Sequence, residues 1–169
     1  MLKNNLEKLL LALLISLGVA CDQTTKRIAE HNLNGTGGYS FFYDTFRLTY
    51  IENPGAFLGF GSHFPEWIKL WLFLIMPTVL IAGALGWLMF SHQVRLAYRV
   101  MVAMFVAGGI GNLIDRMLLD GHVTDFMNLG IGSFRTGIFN IADVILMMGA
   151  FGLFFLEIKS KTQENTEKF

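Results

Sequence analysis

Residues 9–26 read LLLALLISLGVACDQTTK, and the fold depends on whether this segment is kept or removed. A charged start, an apolar run, small residues and then Cys21 form the pattern of a cleavable, lipid-modified signal segment. The uncharged run Leu9–Cys21 is thirteen residues long, within the range of about 10–14 that suits a signal core better than a membrane span. Two features oppose removal. Gly18 stands three before the cysteine, where a lipidation site usually carries a large aliphatic, and Asp22 and Lys26 follow at the i, i+4 spacing of a continuing helix. Extended back to Leu6, with Glu7 and Lys8 snorkelling, the segment reaches the length of a span. The retained reading makes Cys21 a buried helix residue. The cleaved reading makes the chain a lipid-modified secreted protein beginning at Cys21.

The remainder of the chain favours retention. Of 169 residues, 53% are hydrophobic and 15% charged, a membrane composition. A formal charge of zero with dispersed basic residues gives no footprint for nucleic acid, and a single cysteine excludes an internal disulfide or a multi-cysteine metal site. Residues 67–90 carry one charge, Lys69 near one end, and are long enough to cross about 30 Å of hydrocarbon. Pro77 is expected to kink this span, and Ala82, Gly83 and Gly86 to admit a close neighbour. A third span covers 96–114 and ends in GGIGN at 108–112; a fourth covers 138–156 and contains Asn140 and Asp143. With a first span over 6–22, the chain is a single domain, residues 1–169: an all-α polytopic membrane protein of four transmembrane helices, with outer loops 23–66 and 115–137.

Basic residues orient it. Lys3, Lys8, Arg95, Arg99, Lys159, Lys161 and Lys168 crowd into two short tails and one short turn, while Lys26, Arg27, Arg47, Lys69, Arg116 and Arg135 are spread through long segments. The rule weighs short flanks, so both termini face the cytoplasm and the two long loops lie outside. In the first loop, YSFFYDTFRLTYIENPGAFLGFG over 39–61 alternates aromatic and β-branched residues, which predicts a small extracytoplasmic β layer. Phe41, Phe42, Phe46, Phe57, Phe60 and Phe64 give it an apolar face against the membrane surface, as a helix-end cover or a cradle for an acylated substrate.

Polar residues gather at the outer edge. Asn112-x-x-Asp115-Arg116 and Asn140-x-x-Asp143 each share a helical face, and Asp125 lies in the loop between them. Asp115 beside Arg116 reads as an ion pair closing a helix end, Asn112 and Asn140 as caps or inter-helix bonds, Asp22 and Lys26 as an interfacial anchor, and Asp120 and Glu30 as solvated loop charges. Asp143, four or five residues inside an apolar run, resists a structural explanation. Two aspartates at one site share a proton: the ionised one draws a proton from water as it attacks a carbonyl, and the protonated one donates to the carbonyl oxygen. Such chemistry needs no cofactor or metal. The sequence lacks Gly-x-Ser-x-Gly and His-Glu-x-x-His, and its histidines (31, 63, 92 and 122) are scattered. A carrier using Asp143 alone as a proton or cation site remains the competing class, and the pattern leaves Asp115 and Asp125 both open as partner of Asp143.

The ordered strings DQTTK (22–26), ENPGAF (52–57), GGIGNLIDR (108–116), GHVTDF (121–126) and FNIAD (139–143) resemble the lipoprotein signal peptidases, or signal peptidase II, across nearly the whole chain. The resemblance implies an aspartic endopeptidase of the inner membrane that cleaves the signal peptide from diacylglyceryl-modified prolipoproteins and is blocked by globomycin-type inhibitors; a non-catalytic lipoprotein-binding paralogue is its alternative. It places the catalytic pair on Asp125 and Asp143. Asn53, Asn112, Arg116 and Asn140 fall on substrate-binding positions, and Asp22, Lys26, Gly55 and Asp115 on supporting ones. Three features depart from the family pattern: Asn53-Pro54-Gly55-Ala56-Phe57 is one alanine short, Val144 replaces a serine, and the loop after Arg116 is slightly longer.

Overall fold

The computed structural model of the chain describes residues 2–56, 60–91 and 93–166. Phe57, His92 and Lys168, named above, lie outside the described residues. Among the described residues, four helices are long and apolar enough to cross a membrane: Asn4–Leu33, Glu66–Phe90, Leu96–Leu118 and Ile141–Gln163. The first belongs to α1 (Leu2–Leu33). The second joins α2 (Glu66–Lys69) through a π-helical stretch, Leu70–Ile75, to α3 (Met76–Phe90). The others are α4 (Leu96–Leu118) and α5 (Ile141–Thr166).

Helix α4 is the axis of the bundle: half of its most apolar window is buried, against 6%, 17% and 11% for the other three spans. Glycine makes this possible. A Cβ at Gly108 would collide with the backbone of α5 at Ala142, and one at Gly111 would stand 2.6 Å from Asp22 Oδ2 of α1. The close packing expected of GGIGN is therefore present. Gly83 and Gly86 instead face open space, with no atom of another element within 4 Å of either position. Leu9, Leu10, Leu13 and Leu17 of α1 are more than half exposed, apolar surface that suits lipid. Before Pro77 the helix is π-wound, the Met76 N–H reaching back to the Trp71 carbonyl, so the irregularity expected at the proline is spread over the preceding turn.

Four expectations need correction. Helix α1 does not stop at residue 22 but runs to Leu33, because Ala29 and Leu33 pack against Phe126 of the sheet; Glu30 is thus an exposed helix residue. Helix α4 continues to Leu118. Helix α5 starts at Ile141, which puts Asp143 in its first turn and not deep in a span. Cys21 lies on α1 but is exposed, not buried, because Asp22 and Lys26 take the inward positions.

The β layer is one antiparallel sheet, ordered β1 (Tyr39–Phe41), β2 (Phe46–Asn53), β3 (Val123–Ile131), β4 (Phe134–Arg135). Its longest strand comes from residues 115–137, a loop whose sequence shows no strand alternation. A bulge between Leu48 and Ile51 sets the register so that Ile51 pairs with Asp125 and Asn53 with Val123. Farther along the face that bears Asp125, Phe41 pairs with Phe46 and Phe46 with Leu129. Ile131 and Phe134 close the far end, 77% and 89% exposed. The β1–β2 turn places Phe42, Tyr43 and Asp44 at positive φ. Asp44 is tied there by Ser40, Arg47 and Arg135; the bond from Arg47 is the main cause holding the Asp44 carboxyl well below the usual range.

Candidate active site

The start of α5 is built first. Asn140 stands just before the helix: its side-chain oxygen accepts the Asp143 N–H at 2.9 Å, and the Asp143 carboxylate accepts the Asn140 N–H at 3.2 Å. This reciprocal pair satisfies two of the orphan donors at a helix start. A third, the Ala142 N–H, is taken by Asp22 Oδ1 at 2.8 Å across the bundle. Asp143 is thereby fixed by the helix it helps to begin.

Asp125 arrives from the other side, on β3. Its Oδ2 accepts from Asn53 Nδ2 at 2.9 Å, and its Oδ1 from Asn140 Nδ2 at 2.7 Å. Asn140 therefore holds both carboxylates, one by its side chain and one by its main chain. Asn112 on α4 completes the bridge: its Nδ2 donates to Asp143 Oδ1 at 2.8 Å, while its oxygen accepts from Lys26 at 3.0 Å and from Asn140 at 3.1 Å. Each carboxylate oxygen of the two aspartates accepts one bond here and keeps room for a second.

Lys26 is buried, 3% exposed, and its ammonium meets three oxygens: Asp22 Oδ2 at 2.8 Å, Asp115 Oδ2 at 3.0 Å and Asn112 Oδ1. The Asp22–Lys26 pair expected at the interface thus sits in the core of the half of the bundle that adjoins the sheet. Asp115 does not close a helix end with Arg116. It pairs with Lys26, accepts from Gln23 Nε2 at 2.8 Å and takes the Thr124 N–H at 2.9 Å, tying α1, α4 and β3 together. Arg116 turns the other way, donating to the Gly55 carbonyl at 2.9 Å with its guanidinium 5.7 Å from the Phe73 ring centroid. The Gly55 N–H in turn goes to Asn53 Oδ1 at 2.9 Å. Gln23 and Phe73 escaped the sequence reading. Gln23 lies inside DQTTK, yet nothing in its spacing marks it as the donor to Asp115, and Phe73 is one aromatic within a uniformly apolar run. Asp120 is exposed, as expected.

Asp125, Asp143, Asn53, Asn112 and Arg116 line one cavity of about 380 Å³ whose other walls are apolar residues of α3, α4 and α5, among them Met76, Leu113 and Leu146. Burial raises the Asp125 carboxyl to about 7, and nearby Asp143 adds to the rise; the bonds from Asn53 and Asn140 and the charge of Lys26 oppose it. A carboxyl poised near neutrality beside a second carboxylate, in a cavity open to an apolar ligand, is suited to proton transfer.

The sequence model described as signal peptidase (SPase) II matches residues 14–159. The lipoprotein signal peptidase of Caldanaerobacter subterraneus subsp. tengcongensis is 35% identical over 145 residues, 86% of this chain and 93% of that protein. That of Gloeothece citriformis is 32% identical over 155 residues, 90% and 92% of the two chains. A solved bacterial membrane enzyme, determined by the in meso method at 2.3 Å resolution, superimposes with a TM-score of 0.78 at 27% identity, covering 90% of each chain. With four apolar spans, a small antiparallel sheet and these relatives along nearly its full length, the chain belongs to the lipoprotein signal peptidase (signal peptidase II) family.

Proposed function

We propose that this membrane protease removes the signal peptide from diacylglyceryl-modified prolipoproteins in the inner membrane, and that Asp125 and Asp143 together activate the attacking water. The observation that carries the reading is the double hold of Asn140, which keeps both carboxylates at the wall of one cavity. Asp125, whose carboxyl is raised to about 7, donates a proton to the scissile carbonyl oxygen. Asp143, ionised, takes a proton from water as it attacks the carbonyl carbon. The tetrahedral intermediate collapses as Asp143 passes that proton to the leaving amine and Asp125 takes one back from the gem-diol hydroxyl as the carbonyl re-forms; the pair titrates as a unit. Asn53, Asn112, Arg116 and Asn140 position the substrate backbone, and Asp22, Lys26, Gly55 and Asp115 hold the frame. The termini face the cytoplasm, the site opens at the outer face, and the apolar side of the sheet rests on membrane lipid. A globomycin-type inhibitor occupies the same cavity.

The test is cleavage of a diacylglyceryl prolipoprotein by the purified protein and by Asp125→Asn and Asp143→Asn, each checked for a single cooperative melting transition at the assay pH. Both variants lose cleavage, and EDTA leaves the wild type active. Retained activity in either variant, or inhibition by EDTA, rejects the dyad mechanism.

A further inference from the structure

Resting on the peptidase reading, we infer that a second chamber next to the catalytic cavity, lined in part by charged side chains, receives the mature polypeptide that follows the modified cysteine. The chamber, about 260 Å³, is bordered by Pro54, Lys69, Asp120 and His122, and it shares Phe73 and Arg116 with the catalytic cavity. Those two residues form the partition. Phe73 is brought there by the π-wound stretch Leu70–Ile75, a form that often marks functional positions. Its ring lies against Arg116, whose buried Nε has no hydrogen-bond partner among the described residues.

The substrate has three arms at its cysteine, and the arms differ in polarity. The signal helix and the acyl chains are apolar; the mature chain is hydrophilic. The catalytic cavity is walled on its membrane side by apolar residues such as Leu72, Met76 and Met147. The sheet face beyond Asp125 is apolar as well, through Met127, Leu129 and Ile131. A hydrophilic chain drawn along either would lose its solvation without replacement. The second chamber is mixed: beside Leu70 and Leu74 it carries the ionisable side chains of Glu66, Lys69, Arg116, Asp120 and His122, which can replace lost solvation. Lys69 is 18% exposed at its side chain and is held by Glu66 at 2.9 Å, Glu66 and Asp120 stand at the outer rim, and His122 lies beside them. Its cations are thus set deeper than its acids.

That arrangement gives a signed test. Three diacylglyceryl substrates are made, identical through the cysteine and carrying Asp-Asp, Lys-Lys or Ser-Ser at the second and third positions after it. They are cleaved by the full-length enzyme in lipid at low ionic strength. Lys69→Gln lowers the acidic-to-basic ratio of kcat/KM roughly threefold, and Asp120→Asn raises it roughly threefold, the scale of a partly exposed ion pair. Asparagine is tolerated at the positive φ of Asp120, so that variant keeps the turn. Cleavage of the Ser-Ser substrate stays within about twofold, and Lys161→Gln, an exposed charge near the end of α5, leaves the ratio unchanged. If neither chamber variant moves the ratio while all three substrates are cleaved, or if Lys161→Gln moves it equally, the mature chain leaves by another route and the peptidase reading stands. If the wild-type enzyme cleaves none of the substrates, both proposals fall.

Discussion

Replacing Asn53 by alanine separates the tuning of Asp125 from the binding of substrate. Asn53 Nδ2 donates to Asp125 Oδ2 at 2.9 Å, and of the influences that lower the Asp125 pKa this bond is the largest. A bond of this kind to a charged group contributes about 1.5–3 kcal/mol. At about 1.36 kcal/mol per unit, its loss raises the Asp125 pKa by roughly 1–2 units above the present value of about 7. The sign follows from the acceptor: the bond favours the ionised carboxylate, so its removal keeps the proton on Asp125 to higher pH. If Asp125 is the acid, its deprotonation sets the alkaline limb of the pH profile, and that limb moves upward by the same amount. The assay is kcat/KM of wild type and Asn53→Ala on one diacylglyceryl prolipoprotein across the neutral and alkaline range. A lost substrate contact alone would raise KM at every pH and leave the limb in place. An unmoved limb, with activity lowered uniformly, would show that Asp125 does not carry the proton the mechanism requires.

The raised carboxyl also ties stability to pH. Between the unfolded value near 3.8 and the folded value of about 7 the native state holds the extra proton, so stability falls as pH rises through that window and levels off above it. Asp125→Asn removes the dependence: its melting temperature loses less than that of wild type between pH 4 and 7, by the equivalent of a few kcal/mol, as read by thermal melts in a common detergent. Cys21→Ala leaves membrane attachment and cleavage unchanged, since the thiol is exposed on α1 and takes no part in the polar core; a wild-type intact mass that begins at Cys21 would contradict that. Asn112→Asp lowers kcat by more than Asn112→Ala does, by about tenfold or more, because it sets a carboxylate against Asp143 where a donor stood; equal losses would show that the donor is unimportant.

The spans were legible because uncharged runs of the right length have one physical outlet in a bilayer. Their ends were not. A helix end is decided by what satisfies its last backbone groups, and for α5 those partners are Asn140 and, from α1, Asp22. The continuation of α1 past residue 22 depends on Phe126, nearly a hundred positions away. Strand β3 gave no alternation because Val123–Phe126 are buried on both faces by the sheet's position between α1 and the cavity. The exposure of Cys21 reverses soluble-protein habit: on a membrane helix the apolar side faces lipid and the polar side packs inward. The five strings of residues named the site's members. Sequence could not say that Asp115 would choose Lys26 over its neighbour Arg116, because that choice is made where three elements meet.

Three asparagines serve the two aspartates, and their chemistry explains why amides and not cations stand closest. Each amide oxygen is occupied by a donor that cannot be withdrawn: the Gly55 N–H on Asn53, the Lys26 ammonium on Asn112, the Asp143 N–H on Asn140. With the oxygen fixed, the NH2 end has one direction left, and in every case it points at a carboxylate. The orientation of the donors is therefore set by backbone and lysine before substrate arrives. A cation in the same places would hold both aspartates ionised and abolish the shared proton. Neutral donors steady a carboxylate while letting burial keep one of the pair near neutrality. Lys26 hydrogen-bonds Asn112 and neither member of the pair, and its ammonium is met by Asp22 and Asp115, so its charge at the pair is partly offset. The polar core that caps α5 and anchors β3 is, on this account, the same set of bonds that keeps one proton available between Asp125 and Asp143.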